Sequence, residues 1–274
     1  MLVRIGSRGS RLALTQAEQA GALLRDAGLE VAFVPITTAG DRDRSSPFGQ
    51  IGERGVFVKE IEEALLAGRI DVAVHSAKDM TSTDTDGLAV GAYLEREDPR
   101  DALVGASAIE PGMRIGTASA RRRAQLLAHE PTLSVEPLRG NVDTRLRKLR
   151  ERGLDAIVLA ACGLDRLGLA DEIGTRLELE LMLPEAAQGA LALQVRAGEA
   201  ELVVELDHAE TRRRVEAERE CVAVLGAGCL APAAAHHDGI VLRALIAGED
   251  GEWVERREGD DPAALGRELA ALAR

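Results

Sequence analysis

Apolar positions at helical spacing run through residues 12–24 (Leu12, Leu14, Ala20, Leu23, Leu24). Val3-Arg4-Ile5-Gly6-Ser7 precedes them, and Gly28 with the stretch LEVAFVP follows. This order predicts strand, helix, glycine turn, strand. It returns at Met113-Arg114-Ile115-Gly116-Thr117, which leads into a second helical stretch, Pro131 and LSVEPL. Each copy continues with a helix closing near a glycine and a third strand opening at an aspartate. These read FVKEIEEALLAGRIDVAVHS in the first copy and VDTRLRKLRERGLDAIVLAA in the second. Helical periods alternating with short β-branched runs predict parallel βαβ units. Residues 1–93 and 100–182 are therefore expected to form two similar α/β domains, separated by the charged linker YLEREDPRD with its Pro99.

A strand is expected over 190–195, in a segment of about 186–203 that carries the chain back into the first domain and leaves a cleft between the two. Ligands of open α/β sheets sit beyond the carboxyl ends of the strands. Ser7–Ser10, His75–Asp79, Thr117–Arg122 and Arg139–Asn141 fall at such ends. From about residue 205 the pattern changes. A helix over roughly 208–225 leads to the turn GAGC, and HHDGIVLRALIAGEDGEWVERRE reads as a hairpin turning at Glu249-Asp250-Gly251. Asp261-Pro262 opens a last helix as N-cap and N1. Residues 205–274 are expected to be a small third α/β domain.

Charge sharpens the picture. The chain carries a net charge of −12, which argues against general nucleic-acid binding. Residues 100–166 go the other way, with eleven arginines and one lysine against eight acids, about +4. Arg121, Arg122 and Arg123 lie just past the turn Gly116-Thr117-Ala118-Ser119, at the start of a helix. They read either as a solvated helix face or as an anion site that adds guanidinium groups to free helix N–H groups. Arg212–Arg214 read as solvated. No apolar run approaches the roughly 18 residues that span a bilayer, so no membrane partner is expected. MLVRIGSRGS is not a secretory signal, and three cysteines make no disulfide framework, so a reducing, cytoplasmic setting is expected.

Cys162 and Cys221 lie in apolar patterns and read as small buried hydrophobes. Cys229 sits in a glycine-rich turn before Pro232, where covalent attachment of a cofactor or substrate is open to it. The spacing C-x7-C-x6-H-H through Cys221, Cys229, His236 and His237 is no standard zinc pattern, and the histidines are expected in a solvated loop, so no metal is expected. Asp79, in HSAKDMT, is either a loop acid or a carboxylate that handles protons beside Lys78. His75 reads as a packed core histidine. Nucleotide-loop, dinucleotide and hydrolase-elbow motifs are absent from the sequence.

Taken together, SRGSRLALTQA, GVFVKEIEEALL, DVAVHSAKDMT, EREDPRDALV, GTASARRRAQL, LRGNVDTRL, LDAIVLAACGLDRLGL, LPEAAQGAL and AERECVAVLGAGCLAP resemble the porphobilinogen deaminase (hydroxymethylbilane synthase) family along essentially the whole chain. The resemblance implies two periplasmic-binding-protein-like (type II) domains around a central cleft, plus a small C-terminal α/β domain bearing a cysteine loop. It implies an enzyme that joins four porphobilinogen units head to tail into hydroxymethylbilane, with release of ammonia. The growing chain is built on a dipyrromethane cofactor attached to Cys229 through a thioether. Asp79 aligns with the catalytic aspartate, which stabilises the cationic pyrrole left when ammonia departs. By the same resemblance Ser10, Asp41, Lys78, Asp79, Thr117, Ser119, Arg121, Arg122, Arg139 and Arg145 serve the cofactor, while Arg123 falls outside this set and keeps its solvated reading. Arg8, Ser10, Gln16, Arg139, Arg145, Arg166 and Gln188 serve the substrate, and a monomer is expected. Each pyrrole carries an acetate and a propionate, which suit bidentate arginines.

The chain departs from the family pattern in places. Gly52-Glu53-Arg54-Gly55 stands for GGKG, and Ala227 for a glycine in the cysteine loop. Pro232-Ala233-Ala234-Ala235 stands for P-I-G-A, Ala187 for a glycine, and Gln194 for an acid. The rival reading is a cleft-type anion-binding protein of the same fold, which needs the arginines but neither Asp79 nor Cys229.

Overall fold

The duplication written in the sequence is built around two aspartates that do the same work. Asp71 Oδ2 accepts the Arg4 backbone N–H at 2.9 Å while Asp71 N donates to Arg4 O. Asp155 Oδ2 accepts the Arg114 N–H at 2.7 Å while Asp155 N donates to Arg114 O. Each pair locks the third strand of its copy beside the first. The computed structural model describes residues 1–38, 58–81, 85–226 and 232–273. Asp41, Glu53, Arg54, Ala227 and Cys229 lie outside the described residues.

The first sheet contains β1 (Leu2–Arg8), β2 (Glu30–Ile36), β3 (Val72–Ser76), β4 (Leu88–Tyr93) and β10 (Leu191–Arg196), in the order β2-β1-β3-β10-β4. β1 is parallel to β2 and β3, and β10 is antiparallel to β3 and β4. The second sheet contains β5 (Asp101–Val104), β6 (Arg114–Gly116), β7 (Ser134–Glu136), β8 (Ala156–Ala160) and β9 (Ile173–Arg176), in the order β7-β6-β8-β5-β9. β6 is parallel to β7 and β8, and β5 is antiparallel to β8 and β9. Both sheets thus repeat one layout, second-first-third-inserted-fourth, with one antiparallel inserted strand. This is the strand order of the type II periplasmic-binding-protein-like domain, present twice.

Helices follow from amphipathic spacing. α1 (Arg11–Asp26) turns Ala17, Ala20 and Leu24 onto Val3, Ile5, Val72 and Val74. In the second sheet, alternate residues of β5 and β8 join opposite cores. Ala102, Val104, Ile157 and Leu159 meet one, and Leu103, Ala156 and Val158 meet the other. Both faces are therefore covered, which is why these strands read as apolar runs rather than alternations. α2 (Lys59–Leu66) packs on the first sheet; α3 (Ala120–His129), α4 (Val142–Glu151) and α5 (Ala161–Arg166) belong to the second copy.

The third region consists of α6 (Ala209–Leu225), the antiparallel sheet β11 (Ala233–His237), β12 (Leu242–Ala247) and β13 (Val254–Gly259), and α7 (Pro262–Leu272). Asp261 caps α7 as expected, its carboxylate accepting the Ala264 N–H at 2.9 Å. One face of this sheet packs Ala233, Ala235, Leu242, Ala244 and Ile246 against Cys221, Val222, Leu225, Leu265 and Leu269. The other brings Ala234, Leu245 and Ala247 onto Ala124 and Leu183. Contacts accordingly group Asp98–Gly189 with Arg214–Arg274 as one compact unit, and Met1–Glu97 with Ala190–Arg213 as the other.

Three expectations are corrected here. His236 and His237 are not in a solvated loop: they end β11 and are buried, because the alternation of a two-sided sheet brings them inside. Arg123 is not simply solvated, since it donates to Asp250 Oδ1 at 2.7 Å and to Val135 O at 2.9 Å. Arg212 likewise pairs with Asp207 at 2.8 Å and lies over the Tyr93 ring at 5.1 Å.

Candidate active site

In the first unit the polar candidates cluster at the carboxyl ends of β1 and β3. Arg8 ends β1, and Ser10 caps α1, its Oγ accepting the Ala13 N–H at 3.3 Å. Gln16, one and a half turns into α1, is buried and donates through Nε2 to Ser76 Oγ at 2.9 Å, tying the helix to the end of β3. Lys78 and Asp79 follow in the one-turn helix Ala77–Asp79, which is held by the Ala77 N–H on Ala190 O at 3.0 Å, and both side chains are half-buried. Beneath them His75 is 4% exposed, and its Nε2 lies 3.1 Å from Gln194 Oε1. Gln194 Nε2 donates to Glu62 at 2.8 Å. Burial pushes the His75 imidazole down to about 4, with Glu62 and Gln194 opposing.

In the second unit the cluster gathers at the N-terminus of α3. Ser119 caps it, Oγ accepting the Arg122 N–H at 3.4 Å, and Thr117 Oγ1 accepts the Ser119 N–H at 3.2 Å. Arg121 and Arg122 are 4% and 5% exposed. Both converge on one carboxylate, Asp101, which is wholly buried. Arg122 Nη2 donates to Asp101 Oδ1 at 2.7 Å, and Arg122 Nη1 donates to Val158 O at 3.0 Å. Arg121 Nη1 donates to Leu183 O at 2.7 Å, and its Nη2 lies 2.9 Å from Asp101 Oδ2 in an ion pair without hydrogen-bond alignment. Arg121 Nε and Nη2 have no hydrogen-bond partner among the described residues. Burial works against ionisation of Asp101, but the two guanidinium charges outweigh it and hold the carboxyl well below the usual carboxylate range.

Arg139 and Arg145 follow β7, where Arg145 Nε donates to Gly140 O at 2.7 Å. Arg166 ends α5, with Nη2 on Gly189 O at 2.8 Å. Gln188 is fully buried, and its Nε2 donates to Pro99 O at 2.7 Å and to Asp101 Oδ1 at 2.9 Å, which ties it to Asp101. Asp101 is the residue that reading by motif missed. It looks like the last acid of a charged linker, yet it stands directly before the apolar run ALV. Asp71 and Asp155 stand likewise before the third strand of their copies.

Residues 3–204 match the family model described as "Porphobilinogen deaminase, dipyromethane cofactor binding domain". The chain belongs to the porphobilinogen deaminase family. Curated members of that family align along nearly its whole length. The porphobilinogen deaminase of Acidithiobacillus ferrooxidans is 46% identical, covering 98% of this chain and 93% of that one. That of Roseiflexus sp. is 46% identical over 97% and 93%, and that of Syntrophotalea carbinolica 47% over 91% and 84%. The fold is read from the strand orders above. Solved periplasmic solute-binding proteins overlap it only at low levels, for example a Coxiella burnetii ABC-transporter protein at TM-score 0.44 and 15% identity, covering 76% of this chain and 93% of that one.

The residues present fit the cofactor family members are described as binding. The buried Nε of Arg121 has no partner among the described residues and calls for an acceptor, and a pyrrole carboxylate is an acceptor of the right charge. Among the other cysteines, Cys162 is buried, and burial pushes the Cys221 thiol up to about 12, with Glu220 adding to the shift. Cys221 cannot supply a thiolate near neutral pH.

Proposed function

We propose that this chain is a cytoplasmic, monomeric porphobilinogen deaminase that carries a dipyrromethane cofactor on Cys229 and joins four porphobilinogen units into hydroxymethylbilane. Besides family membership, the observation that carries the reading is Arg121: a buried guanidinium whose Nε has no hydrogen-bond partner among the described residues and whose Nη2 faces Asp101 Oδ2 without hydrogen-bond alignment. The cofactor, when bound, supplies the pyrrole α-carbon to which the first substrate unit is joined. Arg121 and Arg122 hold pyrrole carboxylates at the start of α3 one at a time, the cofactor's first and then those of the units joined to it as the chain grows, and Thr117, Ser119 and Asp41 also serve the cofactor. Arg139, Arg145 and Arg166 bind the acetates and propionates that each further unit brings. Arg8, Ser10, Gln16 and Lys78 orient the ring over Asp79. The Asp79 carboxylate accepts the pyrrole N–H of the substrate, balancing the positive charge left on that ring as ammonia departs, and takes up a proton as the new bond forms.

The test is intact mass followed by turnover. Incubation with porphobilinogen is expected to leave the chain heavier by two pyrrole units, mapped to Cys229, and Cys229→Ser is expected to show no such gain. Asp79→Asn is expected to lower kcat by about 10²–10⁴-fold, the usual worth of a positioned proton-transfer group. A chain that stays at its unmodified mass and makes no hydroxymethylbilane would instead be an anion-binding protein of this fold.

A further inference from the structure

We propose that Asp101 is the positioning residue of this anion site: it sets Arg121 and Arg122 in place and leaves them one net positive charge, a receptor for one carboxylate at a time. The inference rests on the functional reading above and adds to it the group that prepares the site before any ligand arrives.

The sequence creates a problem that Asp101 solves. Arg121 and Arg122 are the second and third residues of α3, at the end where the helix dipole is positive. Two buried guanidinium groups there repel the dipole and each other, and buried charges persist only where partners compensate them. Asp101 supplies the compensation from a fixed place. It opens β5, opposite Ala160 on β8, and its carbonyl accepts the Leu177 N–H at 2.8 Å from the β9 side, so the backbone is held from both edges.

Its two oxygens divide the work. Oδ1 takes Arg122 Nη2 at 2.7 Å, Arg122 Nε at 3.2 Å and Gln188 Nε2 at 2.9 Å. Oδ2 faces Arg121 Nη2 at 2.9 Å. Gln188 is anchored in turn: its amide also donates to Pro99 O, and the N–H of the preceding Ala187 donates at 2.7 Å to Glu218, which is wholly buried. Two cations against one anion leave a single positive charge. Arg122 is fastened to Asp101 and Val158, whereas Arg121 keeps two donor atoms without hydrogen-bond partners among the described residues. An internal carboxylate beside a carboxylate site could also act as a competitor that the ligand must displace. The two roles differ in sign: removing a positioning group weakens binding, and removing a competitor strengthens it.

The experiment compares the parent with Asp101→Asn and Gln188→Met. For each, the rate at which cofactor-free chain gains the mass of two pyrrole units from porphobilinogen is measured. KM and kcat of loaded chain and the thermal unfolding midpoint follow. Asp101→Asn is expected to slow loading and raise KM by about tenfold or more, with kcat within about threefold of the parent, as when the support of a binding group is lost. Gln188→Met keeps every charge and is expected to move loading and KM in the same direction by about threefold, with an unfolding midpoint close to the parent's. Loading and KM unchanged or improved in a folded Asp101→Asn chain would overturn the proposal. If that chain does not fold, Gln188→Met decides on the same two readouts, and parental loading and KM there overturn it. Failure of the parent itself to gain mass removes the functional reading and this inference with it. A parent that loads beside variants that match it removes only the inference.

Discussion

His75 is buried on β3 and bonded through Nε2 to Gln194, which is bonded in turn to Glu62. Its folded pKa is pushed down to about 4 by burial, against about 6.5 in an unfolded chain. The unfolded state therefore binds a proton between pH 6.5 and 4 that the folded state refuses, so stability falls as pH falls through that window, by about 3 kcal/mol in total. His75→Gln keeps an N–H for Gln194 and removes the titration. Chemical unfolding from pH 7 to pH 4 is expected to show a correspondingly shallower loss in the variant, and parallel curves would refute the assignment. Ala187 is a second residue under local stress, with a left-handed φ of 64°. Ala187→Gly is expected to stabilise the protein by about 1 kcal/mol, read by the same unfolding, because glycine adopts that conformation without a Cβ clash. Asp79, Arg121 and Arg122 stand out in the sequence as candidates because they sit in motifs at strand ends. Asp101 and Glu218 could not: their roles depend on partners such as Arg122 and Ala187, 21 and 31 residues away, and no local pattern marks an acid as buried.

Among the elements, the duplicated strand–helix–strand order was legible because each copy repeats the same periodicity and the same aspartate at its third strand. The third region was legible as a helix, a hairpin and a capped last helix. Its alliance with the second copy was not, because beside Leu183 and Leu245 that contact is made by small residues, Ala124, Ala234 and Ala247, which carry no amphipathic signal. The tip of the β12–β13 hairpin shows how close the approach is. Gly251 has a φ of 68°, and a Cβ on it would run into the Ala124 carbonyl oxygen of α3. Beside it Asp250 takes Arg123 at 2.7 Å, and Arg256 reaches Gln125 Oε1 at 3.2 Å. The hairpin is thus seated on the helix that presents Arg121 and Arg122. Gly251→Ala is expected to cost about 2 kcal/mol through overpacking and the left-handed backbone, lowering the unfolding midpoint by about 5 °C. A midpoint equal to the parent's would mean that the hairpin is not pressed against α3 in solution.

For the whole molecule, the net charge of −12 and the positive segment 100–166 act on an anionic substrate in opposite senses. Porphobilinogen, with two carboxylates and one ammonium, is repelled by the chain as a whole and attracted by the arginines we propose bind it. Salt separates the two because they act over different distances. The charges outside the segment, about −16, are spread over the molecule, and much of their effect is screened once the Debye length has shrunk to about 10 Å near 0.1 M. Contacts between a carboxylate and a buried guanidinium group operate at hydrogen-bond distance, and weaken appreciably only as the Debye length nears about 3 Å at 1 M. KM for porphobilinogen is therefore expected to stay level or fall slightly from 0.01 M to 0.1 M salt, then rise by about threefold to tenfold towards 1 M, with kcat little changed. Steady-state kinetics across that range provides the check. A KM that keeps falling to 1 M would mean that long-range repulsion by the acidic surface, not the arginine cluster around Asp101, governs capture of the substrate.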